Sequence, residues 1–478
     1  MTRMQRALIA ATVAGVGVGS IALLSAVAQN RRARRRTVFP DDARHAGKVA
    51  RIAAQLRAHH GGPVSLRKKA PPHQVPKGRD LRRHDEKIDV SDLTRILAID
   101  PVARTCTAES GVMFVDLVAA TLPYGLVPIV VPELATITIG GAVSGCSLES
   151  MSYRYGGFHD TCLEYEVVTS TGEVLTARPD NEHALVFQMM HGSFGTLGIL
   201  TRLTFRLVPA KPFVRVDYEH HTTLDEYLES IRRHSASFDV DFMDGMVHAD
   251  DHLVLCLGRF VDDAPFINRY DWMKIYYQST RTRLVDFMAT QDYFFRYDRG
   301  VTNVHPKSWL GRLLFGKLTG SQNALAIANK LPFLFRSQHP TVTVDVFVPF
   351  SKVPEFFQWW RDELGHFPLW VVPYRRVRDY EWLDDGFYKG MEDGLFLDIA
   401  IYGMKQPRGV NVHRMIEEKL RELGGVKTLI SHNYYSRDEF WSIWNKRNYD
   451  RVKAVTDPGN FFRDLYSKTC RAAMGLPG

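Results

Sequence analysis

The sequence predicts an α+β protein of two domains behind an N-terminal membrane segment. Three observations lead there: a charge-free apolar run near the N-terminus, alternating strand and helix patterns around two glycine-bearing segments in the first half, and a change of texture past Pro209-Ala-Lys-Pro212. The 478 residues suffice for two domains plus an appendage, and 45% hydrophobic with 24% charged residues is ordinary for a chain with a packed core.

Residues 7–28 carry no charge and, at about 1.5 Å per residue, are long enough to cross a hydrocarbon core about 30 Å thick. Ala26-Val-Ala28 also resembles a signal-peptidase site, which leaves a cleaved signal peptide as the competing reading. Arg31, Arg32, Arg34, Arg35 and Arg36 favour an uncleaved anchor, because the positive-inside rule holds such a cluster, and the body behind it, on the cytoplasmic face. Near an anionic surface each arginine would contribute about 1 kcal/mol. The formal net charge of +8 is a local feature: residues 1–40 hold seven arginines and no acidic residue, so a nucleic-acid partner is not expected.

The next elements follow in order. Residues 42–60 read as a helix, with apolar or small positions at 46, 49, 50, 53, 54 and 56 and a stop at Gly61-Gly62-Pro63. A strand and loop start at Val64, residues 100–109 read as a strand pair, and residues 113–122 as a short helix. Then come the two glycine segments, Val131-Pro-Glu-Leu-Ala-Thr-Ile-Thr-Ile-Gly-Gly-Ala-Val-Ser-Gly145 and His191-Gly-Ser-Phe-Gly-Thr-Leu-Gly-Ile-Leu-Thr201, flanked by β-formers and expected to leave strands. Glycine lets a ligand approach the backbone and permits the conformations in which N–H groups converge on phosphate oxygens. Between them, Tyr165-Glu-Val-Val-Thr, the turn Ser170-Thr-Gly-Glu and Val174-Leu-Thr-Ala read as a hairpin. No Gly-x-Gly-x-x-Gly follows a strand, so a Rossmann site is not supported.

Past residue 212, alternating strands such as Thr341-Val-Thr-Val-Asp-Val-Phe-Val-Pro and aromatic-rich helices such as 354–364 mark a second domain. The stretch 270–335 is dense in aromatic and basic residues, suited to a core, a lipid-facing surface or an apolar tunnel. Residues 437–470 read as a charged, aromatic helix followed by Asp457-Pro-Gly-Asn-Phe-Phe. Cysteines at 106, 146, 162, 256 and 470 show no Cys-x-x-Cys spacing, which favours a reducing compartment and argues against structural zinc. His248 and His252 flank Asp250 and Asp251, but two strands joined by a polar turn explain that segment better than a metal does.

Proline, Thr-x-Gly-Gly, hairpin and Gly-x-x-Gly-Ile in that order resemble the PCMH-type FAD-binding domain of the vanillyl-alcohol oxidase and p-cresol methylhydroxylase superfamily. Pro132-Glu-Leu, Thr138-Ile-Gly-Gly, Leu148-Glu-Ser-Met-Ser-Tyr-Arg-Tyr-Gly156, Gly195-Thr-Leu-Gly198, Pro209-Ala-Lys and Asp438-Glu-Phe-Trp resemble its sterol Δ24-reductase (DIMINUTO/seladin-like) branch. Ile88-Asp-Val-Ser-Asp-Leu, Asp100-Pro-Val-Ala-Arg-Thr and Asp116-Leu-Val-Ala-Ala-Thr-Leu-Pro-Tyr-Gly-Leu are similar to actinobacterial flavoproteins that reduce 10-methylene fatty acyl chains. The resemblance covers roughly residues 60–470 and thins after 210. It implies an anchor and basic flank (1–36), an FAD-binding domain of two subdomains (37–212), an α+β substrate or cap domain (213–440) and a C-terminal segment (441–478) returning to the FAD domain.

It also implies FAD, with NADPH as electron donor. Glu133, Thr138, Ile139, Gly140, Gly141, Gly145, Cys146, Ser147, Gly195, Gly198 and Ile199 would line the cofactor. The phosphate loop departs from the superfamily's spaced glycines: it is Ser65-Leu-Arg-Lys-Lys-Ala-Pro-Pro-His, where Arg67, Lys68 and Lys69 would substitute charge for backbone donors or form a solvated turn. No histidine lies between the glycines of either loop, so non-covalent FAD is expected, with His73 the remaining candidate for a covalent link.

Reducing an isolated double bond needs an acid beside the flavin and an apolar pocket; the cofactor carries the redox step. Glu149 would be that acid if its pKa were raised by burial, or else a hydrogen-bond acceptor for backbone or ribose. Tyr402 is a second donor candidate or a packing residue. Lys453 resembles a C-terminal lysine that reaches the flavin in related oxidases, or is a surface residue. The leading expectation is a membrane-associated FAD reductase of an unactivated alkene in a lipid, functionally coupled to a lipid methyltransferase. The alternatives are a flavin oxidase or dehydrogenase of a lipid-linked or sugar alcohol, and a non-catalytic membrane scaffold.

Overall fold

The computed structural model describes residues 42–71, 73, 75, 84–271, 274–298, 341–389, 394–471, 473, 474 and 476. The expected membrane segment 7–28, its arginines and residues 299–335 of the aromatic stretch lie outside the described residues. Among the described residues no helix is long and apolar enough to cross a membrane.

The first helix, Asp42–Arg57, buries His45, Val49, Ile52, Ala53 and Leu56 at helical spacing and packs on Val64, Ile88 and Leu93. It ends before the expected residue 60, and Ala46, Ala50 and Ala54 face outward, so the stripe is set by Ile52 and His45 instead. His45 docks the helix: Nδ1 lies 3.0 Å from Glu109 Oε1 and Nε2 2.7 Å from Glu166 Oε1. Burial alone would lower its pKa, but the hydrogen bonds to Glu109 and Glu166 and their charge raise it from 6.5 to about 9. The same contacts depress both carboxylates. The stability from charged His45 is therefore full below pH 6.5 and is lost as pH rises through about 9, while that from the carboxylates is lost as pH falls below their ordinary range. Denaturation midpoints measured across pH should fall on the alkaline side in the native chain and show a flatter alkaline limb in His45→Gln.

Strands β1 (Val64–Arg67) and β2 (Glu86–Asp89) form a parallel pair. A second sheet contains β3 (Ile96–Asp100), β4 (Thr105–Glu109), β5 (Leu126–Pro128), β6 (Cys162–Val168), β7 (Val174–Ala177) and β8 (Ile199–Pro209), ordered β3-β4-β8-β6-β7 with β5 also on β8. β8 alternates cleanly: Ile199, Thr201, Leu203, Phe205 and Leu207 point inward, with Arg202 and Arg206 outward. The expected 165–177 hairpin is present, with Gly172 at φ 76° in its turn. The pair expected over 100–109 starts earlier, at Ile96, because Asp100 ends the first strand and opens the turn: its Oδ1 accepts from Val102 N at 2.9 Å and Ala103 N at 2.8 Å.

The larger, fully antiparallel sheet holds β9 (Phe213–His221), β10 (Phe242–Ala249), β11 (His252–Val261), β12 (Val285–Ala289), β13 (Val342–Pro349), β14 (Leu369–Arg375), β15 (Leu395–Met404) and β16 (Val426–Lys427) in the order β12-β9-β11-β10-β14-β15-β13-β16. Strand alternation gives its faces different chemistry. Val342, Val344, Val346, Leu369, Val371, Leu397, Ile399 and Ile401 pack on one side against helices Leu224–Ser237, Val353–Glu363 and Val412–Leu423. The other side, with Val216, Met246, Cys256, Trp370, Val372, Phe396 and Ala400, shares one core with Cys106, Leu203 and Phe205 of the first half. The face turned toward the smaller sheet also carries Asp244, Asp345, Asp398 and Tyr402.

His248 and His252 do stand at a β10–β11 turn, and no metal-binding group of His, Cys, Asp or Glu occurs among the described residues. The single helix expected after residue 437 is two, Arg437–Trp441 and Lys446–Thr456, because Ser436 and Asn445 each cap a new start. The chain then crosses back: Thr456 O accepts from Ser170 N and Phe461 O from Val64 N, both at 2.8 Å.

Candidate cofactor and active site

The first glycine segment opens a helix instead of leaving a strand. Thr138 is the N-cap of Ile139–Ser144, its Oγ1 accepting from Gly141 N at 3.2 Å. The expected convergence of free N–H groups is not what these glycines provide. Ile139 N donates to Val112 O at 3.0 Å and Gly140 N to Ser110 O at 2.8 Å, so the turn's donors are spent on the protein itself. Glycine is required at 140 for approach: an added Cβ would lie 2.8 Å from Ser110 Cβ.

The second segment lies between helix Ala184–Met189 and β8 and is joined to the first. Gly192 N donates to Val143 O at 3.3 Å and Phe194 N to Ser144 O at 2.9 Å. The two loops are thus one continuous wall, part-exposed at Gly140, Gly141, Gly145, Cys146, Ser147, Gly192, Phe194 and Gly195. At Gly195, φ is 67° and an added Cβ would meet no atom nearer than Lys468 Nζ at 4.0 Å, so it would project into open space. A wall whose part-exposed positions are mostly glycine, with a lysine beside it, fits a flat, anionic dinucleotide.

The other expected cofactor positions divide. Ile139 and Ile199 are buried whole, with Ile139 N spent on Val112 O and Ile199 paired with Val168, and Gly198 is held by packing, since a Cβ would lie 2.7 Å from Val167 Cγ1. Cys146 sits at φ 52°, its thiol pKa pushed up by burial, with Asp160 adding to the rise. Ser147 O accepts from Phe158 N at 2.9 Å. His73 Nε2 lies 3.1 Å from Thr136 Oγ1, just ahead of the glycine helix. Glu133, part-exposed, has its pKa raised to about 8 by burial and by Asp345, Glu149 and Asp298.

Glu149 is buried and engaged. Its Oε2 accepts from Ser150 N and Oγ, and Oε1 stands 3.2 Å from Arg296 Nη2. Burial pushes its pKa up, with Arg296 pulling the other way. Arg296 also binds Asp244 Oδ1 at 2.9 Å and stacks over Tyr293, 4.0 Å to the ring centre. Tyr297 Oη at 2.6 Å and Trp370 Nε1 at 3.0 Å complete the shell of Asp244. Tyr402 faces the same region, donating from Oη to Asp345 Oδ1 at 2.7 Å.

Lys453 is neither a surface residue nor available to a flavin. Its Nζ donates to Thr196 O at 2.9 Å, Asp457 Oδ2 at 2.5 Å and Phe462 O at 2.6 Å, which uses all three protons. The lysine that does reach the glycine wall is Lys468, whose Nζ donates to Phe194 O at 2.6 Å. Lys453→Met should lower stability by about 1.5–3 kcal/mol through loss of charged hydrogen bonds, yet leave the visible flavin spectrum unchanged, as melting curves and absorption spectra of the variant would show. Lys468, Arg296, Asp345 and Asp398 escaped the sequence reading. The acidic residues alone had a signal, a carboxyl in a strand of otherwise buried apolar positions.

Residues 43–178 match the family described as FAD binding domain. The chain is 25% identical over 404 residues to the Delta(24)-sterol reductase of Mus musculus, covering 80% of this chain and 77% of that one. It is 26% identical over 422 residues to the Delta(24)-sterol reductase homolog of Caenorhabditis elegans (81% and 79%) and 25% identical over 432 residues to the Delta(24)-sterol reductase of Arabidopsis thaliana (81% and 77%). Fold, wall and matches define a flavoprotein. The chain carries a PCMH-type FAD-binding domain and is a homologue of the Delta(24)-sterol reductases.

Proposed function

We propose that this protein is an FAD-dependent reductase of an isolated C=C bond in a long-chain lipid, either a methylene fatty acyl chain or a sterol-like side chain. The observation that carries the reading is the glycine-rich wall at 140–147 and 192–195, in a chain aligned with Delta(24)-sterol reductases over four-fifths of its length. Bound FAD would supply hydride transfer. The face of the wall and Lys468 would hold the cofactor. Glu149, pinned by Arg296 and Ser150, sets the electrostatics of the floor rather than moving freely. NADPH is the donor in this reading, residues 7–28 anchor the body to the cytoplasmic face of a membrane, and a lipid methyltransferase makes the alkene that is consumed.

Anaerobic NADPH should bleach the flavin's visible band, and addition of an alkene lipid should restore it. Bleaching by an alcohol and not by either nicotinamide would turn the assignment to a dehydrogenase. Protein that stays colourless after FAD addition would leave a scaffold. A strain lacking the protein should accumulate a lipid two hydrogens lighter than normal.

A further inference from the structure

Antiparallel register places Asp345 opposite Ala400, Phe347 opposite Asp398 and Thr343 opposite Tyr402, so Asp345, Asp398 and Tyr402 share one face of two neighbouring strands. Glu133, from the segment leading into the glycine helix, lies near enough for its charge to act on Asp398 and Tyr402 and for that of Asp345 to act on it. The group therefore spans the junction between the cofactor wall and the larger sheet. Glu149 and Asp298 also bear on Glu133.

This group differs from other buried carboxyls of the two domains. Asp160 has Arg378, Asp244 and Glu149 have Arg296, and Asp457 has Lys453. Among the described residues, Glu133, Asp345 and Asp398 form no ion pair with lysine or arginine. Asp398 is 2% exposed and its Oδ1 has no hydrogen-bond partner. Neighbouring carboxyls without a cation, one of them enclosed and two only partly exposed, resist ionising together, because repulsion and lost hydration both favour the neutral form. Protons must do here what arginine does elsewhere. Burial holds the pKa of Asp345 up at about 6 and pushes that of Asp398 well above the usual range, the latter helped by Asp345 and Glu133.

We infer that Glu133, Asp345, Asp398 and Tyr402 form the proton-donating site of the reaction, with Asp345 and Tyr402, both part-exposed, as its substrate-facing end. The inference rests on the reductase reading above. The substrate's π pair takes a proton from the site, breaking an O–H and forming a C–H bond. The adjacent carbon takes the hydride whose two electrons came from the nicotinamide donor, and the site regains its proton from water. Asp398 and Glu133 act as positioning residues that keep a proton shared over the group.

The test uses flavin-loaded enzyme and the variants Asp345→Asn, Asp398→Asn and Tyr402→Phe, each checked for flavin content and melting temperature. Infrared spectra in H2O and D2O at neutral pH should show a protonated carboxyl band that weakens in Asp398→Asn and Asp345→Asn. In stopped flow, flavin reduction by NADPH should stay at the wild-type rate, while reoxidation by alkene falls about 100-fold or more in Asp345→Asn and, if that variant does not fold, in the near-isosteric Tyr402→Phe. Wild-type reoxidation should slow as pH rises and the site ionises. No protonated carboxyl band in the wild type, or variants that reoxidise at its rate and with its pH profile, overturns the inference. A wild type that no alkene reoxidises refutes the functional reading, and the infrared band then still decides whether the carboxyls hold protons.

Discussion

Arg296→Met is expected to destabilise the protein by about 3–5 kcal/mol, the range for removing one partner of a buried ion pair. The side chain of Arg296 is fully buried, as is that of Asp244, and Glu149 is nearly so. Methionine fills most of the volume and loses the stacking on Tyr293, Tyr297 and Tyr276. What decides the outcome is that two carboxylates lose their shared cation at once. Tyr297 and Trp370 still donate to Asp244, and Ser150 to Glu149, but neutral donors replace only part of the attraction. The denaturant midpoint should fall sharply, and Arg296→Met combined with Asp244→Asn should recover part of the loss, because the second change removes a stranded charge. Equal midpoints for Arg296→Met and wild type would show that the pair contributes nothing.

Gly140→Val should yield protein without flavin. An added Cβ stands 2.8 Å from Ser110 Cβ and 3.0 Å from Ser110 O, and both atoms belong to a segment that cannot withdraw, since Ser110 N donates to Thr201 O at 3.0 Å. The helix Ile139–Ser144 must lift, breaking the bond from Gly140 N to Ser110 O and disturbing those from Gly192 N and Phe194 N that fix the second loop. Overpacking of this kind costs about 1–3 kcal/mol. Its larger consequence is geometric, because both loops shift together. Absorption spectra of the purified variant, before and after FAD addition, measure the effect; yellow protein with wild-type flavin content would show that the wall tolerates movement. Gly195→Ala makes a useful comparison, since its methyl group meets only Lys468 Nζ at 4.0 Å, so that apart from the strain of alanine at φ 67° it should act mainly by weakening flavin binding.

The local elements were legible because they follow from short-range periodicity. The 165–177 hairpin, the β10–β11 pair and the helix over residues 113–122 all stand within a few residues of where the sequence puts them. Errors came where a partner far along the chain decides. Nothing near Lys453 shows that Thr196 takes one of its protons, and nothing near Gly140 shows that Ser110 occupies the space a side chain would need. The carboxyls at 345 and 398 alternate visibly with apolar residues, yet alternation does not give register, and register is what brings them together with Tyr402.

The position of β8 bears on how the protein is made. The family match ends at residue 178, but β8, at Ile199–Pro209, is the strand on which β4, β5 and β6 all pair. A nascent chain that has emerged only through the hairpin holds strands with no common partner, and the first glycine loop lacks the second to lock it. Cofactor capture should therefore begin no sooner than synthesis of residue 209, and a ribosome-bound fragment ending near 180 should expose unpaired strand edges that invite chaperones or aggregation.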